Sequence, residues 1–200
     1  MSNFVSPLSV IDLSFLTHAG VKGAGAAVWL QQQGIERVDR ADLESLSPNC
    51  WASLVGGGLV ARLGLSEFLV EDSLESRIAP RLAAAQDFPA KVYPVLRQDL
   101  AIALYGERVH ELLLQTCSVN FRALSLAERP VVLTSMMGVA VTVIPGERDE
   151  LPFYRLWCDS TFGVYFWETL LEIAQELGGR TVKLADLESQ PFMKNSISEV

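Results

Sequence analysis

Basic residues are scarce in this sequence, and they form no run. The chain has 16 Lys and Arg against 24 Asp and Glu, which gives a formal net charge of −8 at pH 7. Binding to nucleic acid depends on clustered Lys and Arg side chains that displace counterions from phosphates. The composition therefore argues against a nucleic-acid partner.

Cysteine and histidine are also rare. The three cysteines, Cys50, Cys117 and Cys158, are widely separated and form no Cys-x-x-Cys pair, which is typical of reduced, individually buried thiols in a cytoplasmic protein. The two histidines, His18 and His110, have no partner at the spacing of metal ligands. We therefore expect core thiols, no metal site and a cytoplasmic location.

Long apolar runs are missing as well. The longest stretch, residues 130–145, is interrupted by Thr134 and Ser135 and is shorter than the roughly 20 residues that cross a bilayer. The first seven residues show neither the basic nor the apolar region of a secretory signal. We expect no membrane association, and we interpret 130–145 as strand material.

A strand–glycine–helix pattern occurs twice in the sequence. The short extended piece 19–21 runs through Gly23 into helix-forming residues 24–33, and the strand 101–105 runs through Gly106 into an amphipathic helix at 107–115. Gly23 and Gly106 are 83 residues apart. The pattern predicts two related halves.

A second correspondence supports the same division. The apolar stretches 67–73 and 153–160 each end in an Asp-Ser pair that is typical of a helix start, and helices are predicted at 74–85 and 161–177. Further strands are predicted at 51–61, 91–96 and 131–144.

We therefore predict an α+β fold in one domain spanning residues 1–188. Its two similar strand–helix–strand–helix halves, at about 10–88 and 89–180, would be built on mostly antiparallel sheet. The segment 189–200 is predicted to be a flexible tail.

Two glycine-rich stretches invite a functional interpretation. The stretch 23–28 nearly matches a dinucleotide-binding turn, but Val28 occupies a position that requires a small residue, so we favour a closely packed helix start. Gly56-Gly57-Gly58 is followed by strand-like residues, and we interpret it as a turn between two strands.

Three carboxylates lie close together between Pro145 and Pro152. They are Glu147, Asp149 and Glu150. General acid–base chemistry would require a pocket that desolvates one of them, whereas the Pro-Gly start and the density of charge favour a solvated hairpin loop.

Four segments of the sequence carry a family resemblance. They are an Asp-Leu-Ser opening followed by a glycine and a helix (11–27), a Leu-Gly-x-x-Glu-Phe-Leu strand (63–69), a strand–glycine–helix unit around Gly106 (100–114), and closing strands and a helix (138–170). In this order they resemble the folate-binding superfamily that includes the aminomethyltransferase of the glycine cleavage system. Within it, the chain looks most similar to the gamma subunit of heterotetrameric sarcosine oxidase. The resemblance implies a folate-binding aminomethyltransferase-like fold.

The departures from that family affect the expected chemistry. The family's transferases carry acidic residues that help to bind and activate folate where this sequence has Leu59-Val60-Ala61, and an aliphatic side chain cannot handle a proton. The transferases' Gly-Tyr-Thr-Gly-Glu motif is also absent, with residues 134–139 in its place. Glu147, Tyr154 and Arg155 remain the candidate folate-binding residues, and no catalytic residue is predicted.

The resemblance and these departures imply a non-catalytic protein of the sarcosine oxidase gamma-subunit type, which would pack against larger oxidase or transferase subunits. One alternative is a tetrahydrofolate-binding, aminomethyltransferase-like protein of one-carbon metabolism that uses the three candidate residues. The other is a self-associating structural protein, such as a homodimer, without a small ligand.

Overall fold

The computed structural model describes residues 6–188; the tail predicted at 189–200 lies outside this range. The described part contains twelve strands and five α-helices. The strands are β1 (Ser9–Asp12), β2 (His18–Lys22), β3 (Cys50–Ser53), β4 (Leu59–Leu63), β5 (Glu67–Glu71), β6 (Tyr93–Val95), β7 (Asp99–Tyr105), β8 (Val132–Met136), β9 (Val139–Ile144), β10 (Glu147–Arg148), β11 (Leu151–Asp159) and β12 (Arg180–Thr181). The helices are α1 (Ala26–Gln32), α2 (Ile78–Ala83), α3 (Val109–Thr116), α4 (Gly163–Glu176) and α5 (Leu184–Glu188).

Contacts divide the chain into two compact units. The five-strand unit comprises Phe15–Asp99 and Ser125–Leu133, and the seven-strand unit comprises the other described residues. The N-terminal strand β1 belongs to the seven-strand unit because it pairs with β7. The similarity of the two sequence halves stays a prediction.

The five-strand unit is built on an antiparallel sheet with the strand order β3-β4-β5-β2-β6. Alternate residues of its strands point to one face and form a core with α1 and α2. The members of that core include Ala19, Val21, Ala52, Val60, Phe68 and Val70 from the strands and Trp29, Leu30, Ala79 and Leu82 from the helices. The period-2 alternation of these strands therefore fixes which face the helices cover.

The other face of the same sheet is apolar at its centre too. Leu59, Ala61 and Leu69 lie on it and are buried. Strands β4 and β5 are consequently enclosed on both faces, which explains their nearly continuous apolar sequence.

The seven-strand unit has the strand order β12-β1-β7-β11-β9-β8, with the short β10 paired to β11. β1 pairs in parallel with β12 and antiparallel with β7, and β11 pairs antiparallel with β9. Helix α3 contacts β11, and α4 contacts β1. Each helix buries an apolar stripe at helical spacing, which consists of Val109, Leu112 and Leu113 in α3 and of Phe166, Leu170 and Ala174 in α4.

The two glycines that the sequence paired have the same backbone conformation. Gly23 has φ +118° and Gly106 has φ +124°, and each precedes a helix by three residues. A Cβ atom would overlap the carbonyl oxygen of Lys91 at Gly23 and that of Pro7 at Gly106. Glycine is required at both strand-to-helix turns because only glycine adopts this conformation without such an overlap.

The structure confirms the predicted α+β fold with mostly antiparallel sheets. Gly56-Gly57-Gly58 forms the turn between β3 and β4, as expected, and all three glycines have positive φ angles. The acidic loop is a hairpin in which exposed Asp149 and Glu150 connect β10 to β11. None of the helices in residues 6–188 has the length and apolar content of a membrane span.

Two expectations need correction. The helix predicted at 74–85 begins only at Ile78, because the carboxylate of Asp72 accepts hydrogen bonds from the Ser76 hydroxyl and from the backbone N–H groups of Ile78 and Ala79. The cysteines are not all core thiols, since Cys158 is buried but Cys50 and Cys117 are partly exposed.

Candidate functional site

Tyr154, one of the three candidate residues predicted from the sequence, is buried and hydrogen-bonded. It lies on β11 with its side chain buried, and its hydroxyl is 3.0 Å from Nε2 of His110 on α3. The ring of Phe121 packs edge-on at 5.5 Å between centroids, and the His110 ring does so at 5.6 Å. The rings of Phe121 and His110 thus flank the buried ring of Tyr154.

The environment keeps both members of this pair uncharged near neutral pH. Burial raises the pKa of Tyr154 to about 12, and the negative charge of Glu147 adds to the effect. Burial also lowers the pKa of His110, helped by the positive charge of Arg122 and opposed by Glu147. The pair is therefore a neutral hydrogen-bonded phenol and imidazole, and the phenol has little capacity to act as an acid.

Glu147 and Arg155 do not share the position of Tyr154. Glu147 is exposed on β10, and it influences the pair through its charge. Arg155 follows Tyr154 on β11, so its side chain leaves the opposite face of the strand, where its guanidinium carbon lies 5.8 Å from the Phe153 ring centroid. Their assignment to a folate site stays a prediction.

Strand β4 begins with three aliphatic side chains. Leu59, Val60 and Ala61 are all buried in β4. In the strand register Leu59 lies opposite Glu71 of β5, and Glu71 lies opposite His18 of β2. The row of side chains across the sheet therefore runs from an aliphatic group to a carboxylate and then to an imidazole.

The pair formed by His18 and Glu71 was missed by the sequence analysis. Nε2 of His18 is 2.9 Å from Oε2 of Glu71, and the exposed fractions of the two side chains are 4% and 0%. A buried carboxylate is tolerated only when it is paired and hydrogen-bonded, so each residue satisfies the other. The pair could have been found only by predicting that the strands of His18 and Glu71 lie side by side. The sequence of neither strand alone reveals this pairing.

The next residue, Asp72, anchors the same end of β5. It is buried, and the three hydrogen bonds to its Oδ1 hold the start of α2. The glycine turn packs closely against this point, because a Cβ atom on Gly58 would overlap the carbonyl oxygen of Glu71. The position of Glu71 is therefore fixed by the backbone on both sides.

A surface groove of about 350 Å³ lies elsewhere in the five-strand unit. Its lining residues are Gln31, Ile35, Glu36, Arg37, Arg40, Ala41 and Asp42. The guanidinium of Arg37 bonds to Asp39, to the Asp42 carbonyl and to the Ser45 hydroxyl, and its hydrogen bond lowers the pKa of Asp39. Most of the Arg37 donors are thus used to hold the loop that forms the groove.

Within 6–188, no three His, Cys, Asp or Glu side chains come together in a way that could hold a metal ion.

Comparison with known proteins identifies the fold. Neither a family model nor a curated protein matches the chain. The glycine cleavage system aminomethyltransferase T from Bartonella henselae is similar with a TM-score of 0.63 and 12% identity, over 88% of this chain and 48% of that one. A chain of the heterotetrameric sarcosine oxidase from Corynebacterium sp. U-96, in complex with pyrrole 2-carboxylate, is similar with a TM-score of 0.62 and 19% identity, over 88% of this chain and 87% of that one.

These similarities show that the chain has the fold of aminomethyltransferase-type domains. The chain spans about half the length of the aminomethyltransferase.

Proposed function

We propose that this protein is a non-catalytic subunit of a sarcosine oxidase-type complex, in the role of a gamma subunit. The observation that carries the proposal is mutual coverage. The match to the Corynebacterium oxidase chain includes 88% of this chain and 87% of the other, so the two chains are nearly equal in length. The match to the transferase leaves about half of that protein without a counterpart.

The chemistry of β4 supports the same proposal. The resemblance to the folate-binding superfamily places the transferases' acidic residues at Leu59, Val60 and Ala61, which are buried aliphatic side chains here. The neighbouring carboxylate, Glu71, is hydrogen-bonded to His18 within the same sheet.

The state of Tyr154 is a further argument. A phenol with a pKa of about 12 that is hydrogen-bonded to His110 is a poor acid at neutral pH. This pair is better suited to joining α3 to β11 than to reacting with a ligand.

Genetic complementation tests the proposal directly. Cells lacking the protein should lose sarcosine-dependent oxygen consumption, and the wild-type chain should restore it. A triple variant, Glu147→Gln, Tyr154→Phe and Arg155→Gln, should restore it equally at the same protein level, because a non-catalytic subunit uses none of these groups in chemistry. Restoration by the wild-type chain alone, with the variant folded and assembled, would contradict a non-catalytic role.

Titration with tetrahydrofolate separates the proposal from its main alternative. We expect no heat of binding and no thermal shift with the full-length chain. Binding that is weakened by Glu147→Gln or Arg155→Gln would instead support a tetrahydrofolate-binding, one-carbon function. A homodimer without bound ligand or partner would support the structural alternative.

A further inference from the structure

The outer face of α4 exposes apolar side chains at one end of the helix. Val164 is 74% exposed, Tyr165 is 51% exposed, and Phe162, directly before the helix, is 50% exposed. The Tyr165 hydroxyl donates to the carbonyl oxygen of Met137 at 3.1 Å, which fixes the ring on the surface. Large, oriented aromatic side chains of this kind are typical anchors of protein interfaces.

The same face continues as a row of like charges. Glu168, Glu172 and Glu176 follow at intervals of four residues and are exposed. At 3.6 residues per turn, they lie with Val164 and Tyr165 in an arc of about 120°. The buried stripe of Phe166, Leu170 and Ala174 occupies the opposite side.

This arrangement is unfavourable for an isolated helix. Like charges at i and i+4 repel one another, and a carboxylate in the last turn meets the negative end of the helix dipole. Helix α4 contains no Lys, Arg or His, and none of the ion pairs among the described residues includes the three glutamates. A row of like charges that lowers helix stability, with no opposite charge to offset it, is typical of a functional surface.

We propose that the outer face of α4, from Val164 to Glu176, is a docking surface for a basic amphipathic helix of a partner protein. The apolar end receives an apolar side chain of that helix, and the three glutamates pair with Lys or Arg side chains at four-residue spacing. Charge complementarity selects this occupant. A second copy of this acidic chain, an anionic lipid surface and nucleic acid would all be repelled by the glutamate row. The inference does not depend on which complex the chain joins.

A peptide probe tests this surface on the full-length protein. The probe is a labelled 18-residue amphipathic helix with Lys at every fourth position beside a row of Leu, and its acidic analogue has Glu in place of Lys. We expect fluorescence anisotropy to show binding of the basic peptide, weakening with added salt, and no binding of the acidic analogue. The triple variant Glu168→Lys, Glu172→Lys, Glu176→Lys should bind the basic peptide about tenfold more weakly, and Tyr165→Ala about threefold more weakly.

A charge-matched control separates local pairing from net charge. Glu75, Glu128 and Glu150 are exposed outside α4, and replacing all three by Lys changes the net charge by the same amount. This control should bind like the wild-type protein. Equal weakening by the two triple variants, or equal binding of the basic and acidic peptides, would overturn the proposal.

Thermal unfolding and sedimentation complete the test. The α4 triple variant should melt at the same temperature as the wild type or higher, because Lys is also a good helix former and favours the last turn. A large decrease would indicate that the glutamates stabilise the fold, and would contradict the docking role. A dimer abolished by Val164→Asp would show that a second copy occupies the face, and would contradict the proposed partner.

Discussion

At the residue scale, two hydrogen-bonded pairs account for the two histidines. His18 bonds to Glu71 in the five-strand unit, and His110 bonds to Tyr154 in the seven-strand unit. In both pairs the imidazole contacts a group from another element, so each pair joins two segments that are distant in the sequence. The histidines therefore have structural roles that their sequence neighbourhoods do not reveal.

Removing Glu71 should destabilise the protein strongly. Glu71→Ala leaves the buried His18 without its carboxylate, and loss of one partner of a buried pair costs about 3–5 kcal/mol. Glu71→Gln retains an acceptor and should cost less. Urea unfolding of the full-length chain measures both, with the exposed Glu75→Ala as a control expected within about 0.5 kcal/mol of wild type. A cost for Glu71→Ala as small as that control would show that the pair contributes little.

His110 should make stability depend on pH. Its pKa is lowered in the folded protein, and unfolding returns it to the ordinary value of 6.5. The unfolded state therefore binds the proton more readily, so this contribution to stability is complete above pH 6.5 and decreases as the pH falls through the window below it. The loss in melting temperature between about pH 7.5 and about pH 5.5 should be smaller in His110→Gln than in wild type. An equal loss in both proteins would contradict this assignment.

At the scale of the elements, periodicity and turn residues were sufficient to locate most of the structure. The helix predicted at 161–177 matches α4 (Gly163–Glu176) nearly to its ends, and Gly56-Gly57-Gly58 predicted the turn between β3 and β4. The start of α2 was misplaced because Asp72 forms its hydrogen bonds to residues 76–79, and this long cap has no local sequence signature. Sequence patterns therefore predict a helix or turn correctly when the residues of that one element determine it.

The candidate site was less predictable, because its geometry depends on how residues are arranged within and between strands. Tyr154 and Arg155 were grouped because they are neighbours in the sequence, but adjacent residues of a strand face opposite sides of the sheet. His18 and Glu71 were overlooked because their contact depends on the pairing of β2 with β5. The contact between His18 and Glu71 therefore depends on strand pairing, which the sequence of either strand alone does not specify.

Glycine substitutions should reveal which turns are constrained. Gly23→Ala places a Cβ atom against the carbonyl oxygen of Lys91 at φ +118°, whereas Gly64→Ala at φ +66° meets open space. We expect Gly23→Ala to cost about 3 kcal/mol and Gly64→Ala about 1 kcal/mol, the ordinary cost of a left-handed alanine. Thermal unfolding of the two variants measures the difference. Equal costs would show that the Lys91 backbone yields to the added atom.

At the scale of the whole molecule, the proposed function is supported by the extent of the structural matches and by the surface charge. The chain matches nearly all of an oxidase chain and about half of a transferase, and it carries a net charge of −8. The outer face of α4 concentrates part of that charge beside an exposed aromatic anchor. Both features support the proposed role as a subunit of a larger complex.

Native mass spectrometry of the endogenously expressed full-length protein tests the central proposal most directly. We predict a complex that contains one copy of this chain and three other oxidase subunits. We also predict that the mass of this chain shows no bound folate. A free monomer would contradict the proposal, and so would a homodimer that retains bound tetrahydrofolate.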